Sequence, residues 1–137
     1  MNDRRVPVRL RQEGETTEIL LLRAEEIRYC GCDIRERVVI VTTDGRSYSL
    51  PSTVTLDIVA SHLGPPFFRT SRSSLVRLDL VRSVIPWSRN RYTLRLEGVD
   101  DEIPLSKDRL REFWQRIGWR RNPRGPGEAR ARRPQAV

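Results

Sequence analysis

Arginines and hydroxyl residues crowd one stretch of this chain, Phe67–Val84, which reads FFRTSRSSLVRLDLVRSV. Taken alone, it is a strand that enters a tight Ser/Arg turn and leaves through Leu75, Val76, Leu78 and Leu80 into a second strand. The turn presents Arg72 with the short hydroxyls of Ser71, Ser73 and Ser74, and Arg77 stands at the exit. Guanidinium forks and hydroxyls suit phosphate oxygens and guanine edges. A solvated loop accounts for the same residues equally well.

Other reactive groups are few. His62 is the single histidine, and no glycine-rich phosphate loop follows a strand. The acidic pairs Glu25-Glu26 and Asp100-Asp101 fall in or beside turns, where solvated carboxylates are ordinary. Cys30 needs a basic neighbour to serve as a nucleophile. The expectation is therefore a protein that is not an enzyme and carries no cofactor. Cys30 and Cys32 read as free thiols of a reducing cytosol. A zinc site needs two further ligands, and His62 lies thirty residues beyond Cys32, so no metal is expected.

The charge is unevenly spread. The 137 residues carry a formal +8. From Trp119 to Val137, six arginines (Arg120, Arg121, Arg124, Arg130, Arg132, Arg133) stand against Glu128, a balance of +5. Residues 61–95 hold seven arginines (Arg69, Arg72, Arg77, Arg82, Arg89, Arg91, Arg95) against Asp79, a balance of +6. Residues 19–60 come to −1 and residues 96–118 to −2. A basic block on a near-neutral frame is the footprint of a polyanion-binding face. Lys107 is the single lysine among 26 basic residues. That bias accounts for arginine over lysine and leaves the clustering to be explained. No stretch approaches the roughly 18 apolar residues needed to span a bilayer, and the N-terminus lacks an apolar signal region. The reading is a cytoplasmic chain with no membrane partner.

These groups must be positioned by short elements. Val6, Val8 and Leu10 alternate as an edge strand, and Thr17–Arg23 (TEILLLR) reads as a buried strand. Ile27–Cys32 is a weaker run. Arg37–Thr43, Asp44-Gly45 and Arg46–Leu50 form the clearest hairpin, with the Asp-Gly pair suited to a type I′ turn. Ser52 opens a short helix with Val54, Leu56, Val59, Ala60 and Leu63 toward the core, ended by Gly64-Pro65-Pro66. Val81–Trp87, a Ser88–Arg91 turn, Tyr92–Leu96 and Glu102–Leu105 continue the strands. Ser106 is placed as the N-cap of a helix over Lys107–Ile117, with Leu110, Phe113, Trp114 and Ile117 on one stripe. Residues 1–16 read as an N-terminal extension with an edge strand, 17–118 as one domain, and 119–137 as a disordered basic tail.

The segment Phe68, Arg69, Arg72, Ser73 and Val76 resembles the LytTR DNA-binding domain of bacterial response regulators, whose pattern here is F-x-R-x-H-R-S-x-x-V-N. The resemblance extends over about residues 17–118. Upstream, Ile27, Tyr29, Val38–Val41, Asp44-Gly45 and Tyr48 match an I-x-Y block, an apolar strand, a D-G turn and an aromatic strand. Downstream, Ile103-Pro104-Leu105-Ser106-Lys107 looks like the I-P-V-S-R element before the last helix. The resemblance implies a mainly β fold, with small antiparallel sheets in tandem, a short helix after the Asp-Gly hairpin and a C-terminal helix. It also implies that loops enter successive major grooves of double-stranded DNA.

Carried over by position, the implied contacts are Arg35 and Arg37 before the Val38–Val41 strand, Ser71, Arg72 and Arg77 in the motif loop, and Lys107 with Asp108 and Arg109 opening the last helix. Ser71 stands where the family has histidine and Arg77 where it has asparagine, so the target shifts from adenine toward guanine or phosphate. Arg37 and Arg77 are expected to supply base choice. The implied role is that of a transcription regulator, as a homodimer on repeated half-sites. The other reading is an interaction module that keeps the fold, binds a regulatory protein partner and has lost DNA, with Trp87 and Tyr92 either as its anchors or as ordinary core aromatics. A single-strand binder ranks behind both, because no aromatic interleaves with the arginines between Arg69 and Arg82. The residues before Glu18 are too few for a receiver module, so control is expected from a partner, from abundance or from an unseen signal.

Overall fold

The computed structural model describes residues 4–10 and 18–119, so the tail read as disordered lies, apart from Trp119, outside the described residues. Ten strands and two α-helices are assigned within them. Strands β1 (Arg5–Leu10) and β2 (Glu18–Arg23) pair antiparallel along their full length, so residues 5–10 of the N-terminal extension form one arm of a ribbon. Strands β3 (Ile27–Cys32), β4 (Val38–Thr42), β5 (Ser47–Ser49), β6 (Phe67–Ser71) and β7 (Ser74–Arg77) form a five-stranded sheet in the order β5-β4-β3-β7-β6. Strands β8 (Val81–Pro86), β9 (Tyr92–Leu96) and β10 (Ile103–Leu105) form a third sheet in the order β10-β9-β8. All the pairings are antiparallel. The weak Ile27–Cys32 run thus becomes the central strand of the largest sheet.

The period-2 alternation of a strand divides the apolar residues between two cores. Phe67 and Leu75 enter one, with Ile27, Cys30, Val38, Ile40 and Leu22. Their immediate neighbours Phe68 and Val76 enter the other, with Leu94, Leu96, Ile103, Leu105 and Phe113. Strands β6 and β7 are therefore a wall shared by both. Helix α1 (Leu56–Leu63) closes the first core with Leu56, Val59 and Leu63. Helix α2 (Leu110–Arg116) closes the second with Phe113, whose ring lies 5.9 Å from Phe68 and 5.4 Å from Trp114.

Local details depart from the sequence expectations in four places. TEILLLR is not a buried strand: Leu22 is buried, but Ile19 and Leu21 are 54% and 49% exposed, because a two-stranded ribbon covers the core with one face only. The Asp-Gly hairpin is not type I′. Gly45 takes positive φ (83°) while Thr43 and Asp44 do not, and Thr42 exchanges bonds with Gly45 and Arg46 around a three-residue loop. Thr55, not Ser52, caps α1, its hydroxyl accepting from Ile58 N at 3.2 Å. Ser106 gives no side-chain cap; its carbonyl accepts from Arg109 N at 3.0 Å, and a 3₁₀ turn over Lys107–Arg109 leads into α2.

Phe113 is 1% exposed and touches the wall through Phe68. Phe113→Ala is expected to lower stability by about 3–5 kcal/mol in chemical denaturation, in one transition. A separate early transition for the β8–β10 half would show that the shared wall does not couple the cores.

Candidate nucleic-acid interface

The β3–β4 turn is built by Asp33. Its carboxylate accepts from Arg35 N at 2.8 Å and Arg37 N at 2.9 Å, while Glu36 N donates to Asp33 O at 3.0 Å. Glu36 is held at φ 61°, the left-handed region that disfavours a side chain by about 1–2 kcal/mol. The same three-residue loop serves β4–β5, where glycine fills that position. With the backbone amides consumed inward, Ile34, Arg35 and Arg37 all face solvent.

The β6–β7 turn is braced from behind by Arg69. Its guanidinium donates to Ser71 O at 3.2 Å and Arg72 O at 2.9 Å, and pairs with Asp57 of α1. Beneath the turn, Ser74 Oγ donates to Pro104 O at 3.3 Å and so accepts from the hydroxyls of Thr70 and Ser71, at 2.5 and 2.6 Å. Ser71 Oγ also accepts from Ser73 N at 3.2 Å. Ser71 and Ser74 are therefore internal and are not presented by the turn as the sequence suggested. Arg72 and Ser73 remain exposed at the tip.

Three links place the turns side by side. Pairing of Tyr29 with Val76 and Cys30 with Leu75 brings the end of β3 to the start of β7, where a Cβ on Gly31 would lie 3.9 Å from Ser73 O. The β6–β7 turn meets β10 through Ser74–Pro104 and through Ser106 N, which donates to Thr70 O at 2.7 Å. Lys107 Nζ donates to Asn90 Oδ1 at 3.0 Å, adding the Ser88–Arg91 turn. Arg35, Arg37, Arg72 and Lys107 thus belong to adjoining turns of one edge. Within the described residues, the guanidinium groups of Arg35, Arg37 and Arg72 make no hydrogen bond or ion pair with the protein.

Two expected contacts lie apart from this rim. Arg77 pairs with Phe67 at the open end of the β6–β7 hairpin, four residues past the turn. Its guanidinium donates to Asp79 at 2.8 Å, Glu25 O at 2.6 Å and Ile27 O at 3.3 Å, with 14% of the side chain exposed. It braces the chain between β2 and β3 and does not converge with Arg37 and Arg72. Arg109 is half-buried and lines a cleft of about 560 Å³ with Arg69, Glu112 and Arg116, between α1 and α2. Asp108 is exposed beside Lys107.

Cys30 is buried in the first core and Cys32 is exposed at the strand end, both free. Burial, with Cys32 nearby, pushes the Cys30 thiol up to about 12, and burial also raises Cys32 against the opposing pull of Arg69. Among the described residues, no cluster of three or more His, Cys, Asp or Glu side chains is arranged to hold a metal ion, and no helix is long and apolar enough to cross a membrane.

Fold and rim define a mainly β domain that offers its cations on turns. Residues 17–118 match the LytTr DNA-binding domain family, and the chain belongs to that family. It is similar to the transcriptional regulatory protein YpdB of Escherichia coli K12 and of Shigella flexneri, 38% identical over 84 residues in each case. Those matches cover 61% of this chain and 34% of each relative, so the chain spans about a third of the length of the curated relatives it matches. A LytTr DNA-binding domain from Bacillus cereus shares the fold with a TM-score of 0.65 at 14% identity, over 82% of this chain and 96% of that one. The family is a class of DNA-binding domain, not a class of enzyme.

Arg77→Ala leaves two backbone carbonyls and Asp79 without their donor, and is expected to lower stability by about 1–3 kcal/mol in denaturant titration. Stability unchanged within error would remove its bracing role. Brief alkylation with iodoacetamide at mildly alkaline pH is expected to label Cys32 alone in the folded protein, since Cys30 stays protonated and enclosed. The Cys30 contribution to stability is complete below the thiol's unfolded value and declines as pH rises toward 12, which a pH series of melting curves reads directly.

Proposed function

We propose that this chain binds double-stranded DNA sequence-specifically, as a bacterial-type transcription regulator acting in the cytoplasm. Its rim turns enter successive major grooves, and paired copies occupy repeated half-sites. The observation that carries this reading is the division of labour among the arginines. Arg69 and Arg77 are spent on internal carbonyls and carboxylates, while the guanidinium groups of Arg35, Arg37 and Arg72, on adjoining turns of one edge, have no partner among the described residues. Guanidinium groups left unpaired in this way are poised for an external polyanion.

The dimensions suit a duplex. Strands of one sheet lie ~4.8 Å apart, so β4, β3, β7 and β6 together span on the order of 15 Å, and β10 and β9 of the third sheet continue that edge toward the ~34 Å of one helical turn of DNA. Arg37 and Arg72 are assigned to guanine, each donating in forked fashion to O6 and N7. Arg35 and Lys107 are assigned to phosphates. Arg77, engaged with Asp79, Glu25 and Ile27, and Arg109, in the cleft between α1 and α2, are left out of this proposed contact set.

Selection of bound duplexes from a random pool tests the reading as a whole, and an enriched motif is the expected result. Arg72→Ala is then expected to cost about 1–3 kcal/mol on that motif and to relax preference at one base pair. Arg35→Ala is expected to weaken all sequences alike and to lower the salt slope by about 1. A pool with no enrichment at low salt would instead favour the protein-interaction module.

A further inference from the structure

The Ser88–Arg91 turn between β8 and β9 carries two arginines that the three-turn rim does not use. It is a built element. Trp87 N donates to Arg91 O at 2.9 Å, Asn90 N to Ser88 Oγ at 3.3 Å, and Tyr92 OH to Arg89 O at 3.4 Å. The Trp87 indole N–H donates to Thr93 Oγ1 at 2.9 Å, and that hydroxyl in turn donates to Glu102 at 2.7 Å. With its edge pinned, the indole offers a face, and the Arg91 guanidinium lies over it at 5.7 Å from the centroid. A platform of this kind holds a guanidinium flat without neutralising it. Trp87 is 54% exposed, yet its polar atom and one face are already engaged within the turn. Arg89 and Arg91 are both exposed, and among the described residues neither pairs with a carboxylate. Arg82, on the preceding strand, is paired with Glu97 at 3.2 Å. The Asn90–Lys107 bond joins this turn to the rim's last cation.

We propose that the Ser88–Arg91 turn is a fourth DNA contact, in which Arg89 and Arg91 bind backbone phosphates just beyond Lys107 and lengthen the footprint at that end. This rests on the reading of the rim as a DNA interface. Trp87 acts as a positioning residue that keeps Arg91 extended along the platform. The turn is assigned no base: the Asn90 amide oxygen is taken by Lys107 Nζ, and the two arginines make charge the main thing it presents outward. Its contribution to affinity is therefore independent of sequence and screened by salt.

The test is the salt dependence of binding to a duplex of about 30 base pairs, three helical turns, carrying the motif enriched by the unaltered protein, and to a scrambled duplex. The double variant Arg89→Ala/Arg91→Ala is expected to weaken both duplexes equally, about 60-fold at 0.1 M salt, with the slope of log K against log salt falling by about 1.8. Arg95→Ala, which removes an exposed charge in mid-strand on β9, is expected to leave that slope unchanged and so separates a positioned contact from general attraction. Trp87→Ala is expected to lower the slope by part of the same amount while the melting temperature stays near that of the parent. If the double variant keeps the parent's slope and affinity while the parent binds its motif, the fourth contact is wrong and the rim stands. If the double variant changes which bases are selected, the phosphate assignment is wrong. If the parent binds no duplex at all, both readings fall together.

Discussion

Everything in this molecule depends on the alternation of side chains across β6 and β7. Phe67 and Leu75 point one way, Phe68 and Val76 the other, so two strands supply the inner surface of two separate cores. A one-residue slip in their pairing would exchange the contents of both cores at once, which pins the register strongly. The pinned strands end in the turn that carries Arg72. The rigidity of the rim is thus inherited from apolar packing on both sides of a single sheet, and the turn's polar scaffold only completes it.

Around that wall, arginine does two unlike jobs. Arg69, Arg77, Arg28 and Arg116 reach carbonyl oxygens that strand ends and loops leave without a partner. Their long stems lie along the protein and their five donors tie distant segments together. Arg35, Arg37, Arg72, Arg89 and Arg91 are instead exposed on turns stiffened by internal bonds such as Arg37 N to Asp33, Ser73 N to Ser71 Oγ and Trp87 N to Arg91 O. Residue type alone does not separate the two groups, since both are arginines in the same basic block. Local backbone geometry does.

This is also why the sequence was only partly legible. Alternation and the Asp-Gly hairpin located most strands, and the resemblance over three ordered blocks fixed the architecture. The turn chemistry was less visible. Asp33-Ile34-Arg35-Glu36-Arg37 contains no glycine, so nothing in it announced a left-handed residue, and the structure places Glu36 there. Ser71 looked presented because it neighbours Arg72, yet the bulge between Arg69 and Ser71 turns its hydroxyl inward onto Ser74. Arg77 looked like a reader because of its place in a motif. Its partners, Glu25 and Ile27, lie about fifty residues earlier and are invisible to any local pattern. The Ser88–Arg91 turn stands out in the sequence for its aromatic flanks, whereas its neighbour Lys107 is seventeen residues from Asn90 and meets it through the β9–β10 pairing.

The choice of arginine for nearly every rim position has an effect on how such a surface behaves in a cell. A guanidinium is more weakly hydrated than an ammonium and carries its five donors in one fixed plane. The attraction such side chains can offer depends on geometry as well as on charge. For a surface of this kind, what modulates attraction is the ionic atmosphere and the number of competing polyanions.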